Sequence, residues 1–169
     1  MDRILEWDNN LSEKLRIAVN KRGLRLFAAI LAHSGDSWFW FGGLGLLWWL
    51  GNPFWKFRAI VYLISIFITA IFVLGIKFTI RRKRPEGEWG GIYRRTDPHS
   101  FPSGHAARSF LLVVLGVGLG PAWLAWLLVI WAPLVSLARV GLGVHYLSDV
   151  VAGMIFGLVI GAVCLSLFI

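Results

Sequence analysis

Two histidines in this sequence stand in patterns that suit the transfer of a phosphoryl group. His105 follows a Pro-Ser-Gly sequence, and His145 follows Arg139 by six positions, across a turn that contains two glycines. Asp149 comes four residues after His145, and residues four apart stack on one face of a helix. A carboxylate at that position orients an imidazole and makes it more basic. Because only His145 has such a carboxylate, we predict that His145 attacks phosphorus and that His105 protonates the leaving oxygen.

Three cations accompany the histidines at intervals that also suit a phosphate pocket. Lys77 and Arg84 are seven residues apart, or two helical turns, so both project from one helix face if the helix continues to Pro85. Arg81 shares that face. Together with Arg139, Lys77 and Arg84 place positive charge around the oxygens of a phosphoryl group and stabilise its transition state.

Ser103 and Gly104 provide a second kind of anion ligand. Ser is a favoured helix cap, and the N-terminus of a helix presents unpaired backbone N–H groups and the positive end of the dipole. We therefore predict that both backbone amides contact phosphate oxygens and that His105 points into the same site. This chemistry requires no cofactor. A metal held by His105, His145 and Asp149 is the alternative, but a dication among three cations is electrostatically unfavourable.

The loop 81–101, between two apolar runs, carries further polar residues. Its basic cluster predicts a patch for anionic lipid headgroups. The residues that we expect to contact substrate or headgroups here are Arg81, Arg94, Arg95 and His99. We expect Asp97 to be solvated and Arg108 to make a contact within its own helix, with assistance to the site as the alternative for both. His33 is expected to mark a polar break before an apolar run.

The composition shows that water is not the main solvent of this chain. Hydrophobic residues make up 57% of the 169 residues and charged residues 15%, far from the average of soluble domains. The formal net charge of +8 suits anionic lipids or a phosphate-bearing substrate. A nucleic-acid partner is excluded because the chain has no room for a second domain. The single cysteine, Cys164, forms no internal disulfide.

The apolar runs predict an all-α, integral-membrane bundle of about five transmembrane helices. The predicted spans are 38–50, 57–80, 103–118, 123–140 and 145–169. Roughly helical spacing of apolar residues indicates an interfacial amphipathic helix near the N-terminus, with Trp7 at the headgroup level. We interpret the whole chain as one membrane domain, composed of an N-terminal interfacial segment (1–33), a transmembrane core (34–169) and a polar loop (81–101).

The alternation of the spans brings the chemically active residues together. Because consecutive spans run in opposite directions, the end of the second, the start of the third, the end of the fourth and the start of the fifth lie on one side. Lys77, Arg84, His105, Arg139 and His145 all fall there. The sequence therefore predicts one site at one end of the bundle.

Three stretches resemble the tripartite signature of the type 2 phosphatidic acid phosphatase superfamily, which includes vanadium haloperoxidases and glucose-6-phosphatase. They are Lys77-x6-Arg84-Pro85, Pro102-Ser103-Gly104-His105 and Arg139-x5-His145-x3-Asp149. The resemblance implies a helical bundle and a metal-independent reaction through a phosphohistidine. One position departs from the family: Ala138 stands where the family usually has Ser, which removes one hydroxyl donor to phosphate.

Two indications of the membrane side of the site disagree. Among the cations outside the site, Lys56 and Arg58 lie on the opposite side and nearly all others share the side of the site, so the positive-inside rule places the site in the cytoplasm. The resemblance implies the outer face of the inner membrane for many bacterial members. We expect a multi-pass protein of a bacterial or archaeal cell membrane, with the side of the site open.

The expected function is that of a lipid phosphate phosphatase. The loop 81–101 is too small to recognise an elaborate soluble substrate, whereas a lipid reaches the site laterally. The sequence does not distinguish between phosphatidic acid, phosphatidylglycerophosphate, isoprenyl phosphates or pyrophosphates, and phosphorylated glycolipids. A lipid phosphotransferase that uses the same histidine, and a non-catalytic lipid-phosphate binder, are the alternatives.

Overall fold

Seven helices make up most of the described chain. The computed structural model describes residues 2–17, 21–86 and 97–168, and its helices are α1 (Asp2–Ile17), α2 (Arg22–Ser34), α3 (Ser37–Leu50), α4 (Pro53–Ile80), α5 (Gly104–Leu119), α6 (Ala122–Gly141) and α7 (Leu147–Phe168). Within these ranges the extended pairing is limited to an isolated bridge between Lys83 and His99. The predicted all-α class is confirmed.

Three of the described helices, α4, α6 and α7, are long and apolar enough to cross a membrane. The apolar helix α5 has 16 residues and α3 has 14, both fewer than the about 20 of a full span. Large apolar side chains, such as Phe67 on α4, Leu137 on α6 and Ile155 on α7, face outward. The predicted helical bundle of an integral membrane protein is confirmed, and α3–α7 lie within a few residues of the predicted spans.

α5 packs against α4, α6 and α7 in the bundle. It approaches α7 closely because Gly153, Gly157 and Gly161 form a stripe on one face of that helix. A Cβ at Gly157 would overlap the carbonyl oxygen of Ala107, so the two backbones come to a distance that only glycine permits. This contact sets the first turn of α7 against the first turn of α5, where the predicted site residues lie.

α1 docks onto the start of α7 through polar side chains. The amide of Leu147 donates to Oγ of Ser12 at 2.9 Å, and the amide of Ser148 donates to Oδ1 of Asp8 at 3.0 Å. Both acceptors are buried, whereas Trp7 of the same helix is 68% exposed. The exposed tryptophan agrees with the expected interfacial helix, but α1 also supplies the N-terminal caps of α7.

α2 belongs partly to the predicted interfacial segment and partly to the predicted core. It runs from Arg22 to Ser34, so it crosses the predicted boundary at residue 33. Buried alanines of α2, Ala28, Ala29 and Ala32, pack against Leu142 at the end of α6. The N-terminal segment is therefore packed on the end of α6 that leads into the predicted site.

Candidate active site

The end of α4, the start of α5, the end of α6 and the start of α7 enclose a polar cluster. Its members are Lys77, Arg84, His105, Arg139, His145 and Asp149. All of them are buried except His105, which is partly exposed. Charged side chains buried to this extent need polar partners, and their contacts define the geometry of the site.

Arg84 contacts the ring of His145 directly. Nη1 of Arg84 lies 3.1 Å from Nε2 of His145 and donates to the carbonyl oxygen of Val144 at 3.0 Å. Burial, together with the charges of Arg84, Arg139 and Lys77, holds the pKa of His145 well below its usual value of 6.5. The imidazole is therefore neutral at pH 7, as a nucleophile at phosphorus must be.

Arg84 does not reach the site from a helix, contrary to the prediction. α4 ends at Ile80 because Arg81 adopts a left-handed conformation with φ of 53°. The chain then leaves the helix, and the amide of Ser100 donates to the carbonyl oxygen of Arg82 at 2.8 Å. Because the two ends of the polar loop pair in this way, Arg84 lies next to His145.

The loop residues that we predicted to contact substrate or headgroups differ in where the structure places them. Arg81 does not share a face with Lys77: its side chain is exposed, and its Nε donates to a carbonyl oxygen of α4 at 2.8 Å. The carbonyl oxygen of His99 accepts from Nζ of Lys77 at 3.1 Å. Arg94 and Arg95 lie outside the described residues.

Asp149 approaches His145 from the first turn of α7. Oδ2 of Asp149 is 3.6 Å from Nδ1 of His145, which is too long for a hydrogen bond, and accepts from the amide of Tyr146 at 2.9 Å. His145 precedes α7, which begins at Leu147, so the two residues do not stack on one helix as predicted. The carboxylate still lies close enough to the ring to favour a positive charge on it.

Arg82 links Asp149 to the N-terminal helix. Its Nη1 donates to Oδ1 of Asp149, and its Nη2 donates to Oδ2 of Asp8, both at 2.7 Å. Arg82 belongs to the basic cluster of loop 81–101, for which we predicted a headgroup patch, whereas the structure shows that it binds the carboxylate next to His145. Arg82 and Asp149 are 67 positions apart, so no local spacing indicates this contact.

Asp97 lies within the cation cluster, and our expectation that it is solvated was wrong. Oδ2 of Asp97 accepts from Nη2 of Arg84 at 2.7 Å and also from Nζ of Lys77. The backbone carbonyl oxygen of Asp97 accepts from Nε of Arg84 at 2.7 Å. The position of this carboxylate shows where Lys77 and Arg84 together hold an oxyanion, beside His145.

His105 has a carboxylate partner of its own, so His145 is not the only histidine with one. Nε2 of His105 lies 2.7 Å from Oδ1 of Asp36, and Nδ1 of His33 lies 2.9 Å from Oδ2. The prediction relied on local spacing and overlooked Asp36 for that reason. A signal was nevertheless available, because alternation of the spans places the start of α3 on the side of the site.

Ser103 caps α5, but its amide is not available to an anion. Its Oγ accepts from the amide of Ala106 at 3.4 Å, as the predicted cap requires. Its own amide donates to the carbonyl oxygen of Asp149 at 2.9 Å, because α7 begins against this end of α5. Of the two expected amide donors, Gly104 remains, and it lines the cavity beside His105.

Arg139 is buried near both histidines, and its neighbour Ala138 belongs to an apolar cluster. Arg139 is 1% exposed, and its charge acts on both His105 and His145. Ala138 instead packs against the buried alanines of α2. The position at which the family usually has Ser therefore lies in an apolar cluster of this structure.

The residues of the alternative metal site have other partners. His105 contacts Asp36, His145 contacts Arg84, and Asp149 contacts Arg82. Within the described ranges, no group of three His, Cys, Asp or Glu side chains is arranged to hold a metal ion.

A cavity of about 370 Å³ opens in front of the cluster. Both histidines line its polar end, and it continues along the apolar side chains of Val73 and Ala70 on α4 to Trp38 on α3. Trp38 is 86% exposed and Leu74 is 50% exposed on the outer surface. The mouth of the cavity therefore lies between α3 and α4 on the apolar side of the bundle.

The sequence profile described as the PAP2 superfamily matches residues 58–168. A decaprenylphosphoryl-5-phosphoribose phosphatase of Mycobacterium tuberculosis is 31% identical over 146 residues, which cover 86% of this chain and 81% of the relative. A lipid A 4'-phosphatase of Bacteroides thetaiotaomicron is 34% identical over 122 residues, which cover 64% of this chain and 54% of the relative. The three stretches of site residues all fall within the profile match.

Two solved structures have a similar fold. The PAP2 type phosphatidylglycerolphosphate phosphatase from Bacillus subtilis superposes with a TM-score of 0.82 over 99% of this chain and 87% of that chain, at 20% sequence identity. Aquifex aeolicus LpxE superposes with a TM-score of 0.75 over 93% of both chains, at 23% identity. The arrangement of helices is thus shared although most side chains differ.

Proposed function

The chain belongs to the PAP2 superfamily, and we propose that it is an integral-membrane lipid phosphatase with His145 as nucleophile and His105 as general acid. The observation that carries this proposal is the carboxylate of Asp97, held by Lys77 and Arg84. Substrate phosphate takes the place of that carboxylate, because its oxygens offer the same cations a stronger partner. Phosphorus then lies next to Nε2 of His145.

The reaction proceeds in two steps at the phosphorus atom. First, Nε2 of His145 attacks phosphorus, the bond to the ester oxygen breaks, and His105 gives a proton to that oxygen. A water molecule then attacks phosphorus and gives a proton to His105, the bond to His145 breaks, and inorganic phosphate leaves. His105 ends in its starting protonation state, so the cycle needs neither a metal ion nor a cofactor.

The cations stabilise the transition state of both steps. Lys77 and Arg84 hold the equatorial oxygens, and Arg139, whose buried charge acts on both histidines, adds a third charge. The Gly104 amide, at the N-terminal end of α5, supplies a further donor. Asp149, held by Arg82, stabilises the positive charge on His145 while its ring carries the phosphoryl group.

The substrate class follows from the cavity and from the relatives. The cavity leads from the histidines along apolar side chains of α4 to the lipid-facing surface, which suits a phosphate on an acyl or isoprenyl chain that enters sideways. The relatives are named as phosphatases of phosphorylated lipids. We assign this chain a lipid phosphomonoester or pyrophosphate in a bacterial cell membrane, with exposed Arg81 and Lys83 contacting anionic headgroups.

Phosphate release in detergent, with EDTA present, tests this proposal on lipid monophosphates and isoprenyl pyrophosphates, with orthovanadate as inhibitor. His145→Ala is expected to lose activity by on the order of 10³-fold or more. Lys77→Gln is expected to lose about 10- to 100-fold, whereas Lys56→Gln, an exposed lysine at the other end of α4, retains parental activity.

Three results contradict the proposal. Full activity of His145→Ala excludes this histidine as the nucleophile. Phosphate that appears on an added alcohol, without release into water, identifies a phosphotransferase. Lipid phosphate that binds without turnover identifies a binding protein.

A further inference from the structure

A carboxylate from the N-terminal part of the chain holds His105. Oδ1 of Asp36 lies 2.7 Å from Nε2 of His105, and the two residues are 69 positions apart. Asp36 immediately precedes α3 and lies outside residues 58–168, the part that matches the superfamily profile. The three stretches of site residues that fall within the profile match therefore do not include it.

The backbone around Asp36 is fixed to the same helix as His105. Arg108 lies one turn after His105 and is 7% exposed. Its Nε donates to the carbonyl oxygen of Gly35 at 3.0 Å, and its Nη1 donates to Oγ of Ser37 at 2.6 Å. α5 carries both His105 and Arg108, and Arg108 binds the residues on either side of Asp36. The distance between Asp36 and His105 is therefore fixed by contacts to a single helix.

The carboxylate of Asp36 offsets positive charges that surround His105. Among the described groups that act on the ring, Arg108 from α5 and Arg139 from α6 oppose a positive charge, and Asp36 favours it. Burial raises the pKa of Asp36, but its hydrogen bonds with His105 and His33 outweigh burial and lower that pKa below its usual range. Asp36 is therefore an anion at neutral pH, beside a ring that otherwise faces two cations.

We propose that Asp36 is a positioning residue for the general acid, an inference that rests on the proposed function. Its carboxylate accepts the Nε2 proton of His105, which leaves the Nδ1 proton for the ester oxygen as the phosphorus–oxygen bond breaks. Asp36 thereby sets the orientation of the ring and stabilises the imidazolium form that the first step consumes. It acts through His105 and not on the phosphoryl group.

Two phosphate esters with the same alkyl chain but different leaving groups distinguish a role of Asp36 in proton donation from a purely structural role. An alkoxide leaves only with a proton, whereas a nitrophenolate is stable without one. The value of kcat/KM reports the transfer to His145, before water attacks. For Asp36→Asn we expect kcat/KM to fall about 10- to 100-fold with dodecyl phosphate and less than about threefold with a dodecyl-substituted nitrophenyl phosphate.

Ser34→Ala is the matched control at the same junction of α2 and α3. The Ser34 hydroxyl accepts from Nε1 of Trp131 at 2.8 Å and donates to a carbonyl oxygen of its own helix. Removal of this hydroxyl weakens the contacts at this junction but leaves the carboxylate of Asp36 in place. The ratio of kcat/KM for dodecyl phosphate to kcat/KM for the nitrophenyl ester is therefore expected to equal that of the parent protein.

Three outcomes overturn the inference. Equal losses on both esters in Asp36→Asn show that Asp36 is only structural, and undiminished hydrolysis of dodecyl phosphate shows that His105 does not need it. A parent protein that cleaves neither ester contradicts the proposed function itself, so this failure is distinct from the other two.

Discussion

The chemistry of the site depends on the different partners that contact its two imidazoles. Burial and three nearby cations keep His145 neutral, with its Nε2 beside Arg84. His105 differs because the ionised carboxylate of Asp36 contacts its ring. One ring therefore contacts a cation and the other an anion, and this difference in partners supports the different roles that we propose for them.

The lowered pKa of His145 predicts the sign of the pH dependence. Since the folded-state pKa lies below 6.5, the nucleophile stays neutral as pH falls through 6.5 and is protonated only at lower pH. With the nitrophenyl ester, kcat/KM is expected to be constant from about pH 7.5 to about pH 6.5 and to fall below that range. An acidic limb centred at or above pH 6.5 would show that the ring is not held neutral.

The same shift has a consequence for stability. Below about pH 6.5 the unfolded chain binds a proton at His145 that the folded chain does not bind. The contribution of His145 to stability is therefore complete above this pH and decreases as pH falls.

The residues of the three stretches could be predicted because each stretch has a local spacing that suits phosphate chemistry. Asp36, Arg82 and Asp97 could not be assigned in this way. Each acts through a partner that is distant in the sequence, such as Asp149 for Arg82 or His105 for Asp36. Such contacts depend on how the helix ends are packed, which residue type and spacing do not encode.

The approach of α5 and α7 brings the first turn of α7, next to the proposed nucleophile His145, against the start of α5, which carries the proposed general acid His105. Gly157→Ala places a Cβ against the carbonyl oxygen of Ala107, so the helices must separate. We expect a lower Tm in detergent and a loss of activity that follows from the displaced first turn of α7. Gly45→Ala on α3 is the control, because a Cβ there meets no atom within 4 Å and alanine favours a helix. Equal Tm values for the two variants would show that this close contact is unimportant.

The positions of the helices were predictable because a segment in lipid must be apolar along its whole length. The residues at which the helices end were harder to predict. α4 stops at Ile80, before Arg84, because Arg81 takes a left-handed conformation, and nothing in the apolar pattern indicates this. The docking of α1 by Asp8 and Ser12 was also missed, because it depends on partners at the start of α7.

The route from lipid to the histidines is a property of the whole bundle. Ala70 on α4 lines the apolar part of the cavity, whereas its neighbour Ile71 is exposed on the outer surface. Ala70→Trp is expected to lower kcat/KM for dodecyl phosphate by about tenfold or more, since several methylene groups lose their burial, and to spare butyl phosphate. Ile71→Trp is expected to leave kcat/KM for dodecyl phosphate and for butyl phosphate unchanged. An equal effect of Ala70→Trp on the two esters would exclude this route for the chain.

The decisive experiment is to trap phosphate on the protein. His105→Ala removes the base that activates water, and a nitrophenyl ester needs little acid catalysis, so the phosphorylated intermediate should accumulate in this variant. After an alkaline quench, which preserves phosphohistidine, mass spectrometry is expected to find phosphate on His145, and to find none when His145→Ala is added. Phosphate on another residue, or hydrolysis by a protein that never carries phosphate, would show that His145 is not the nucleophile.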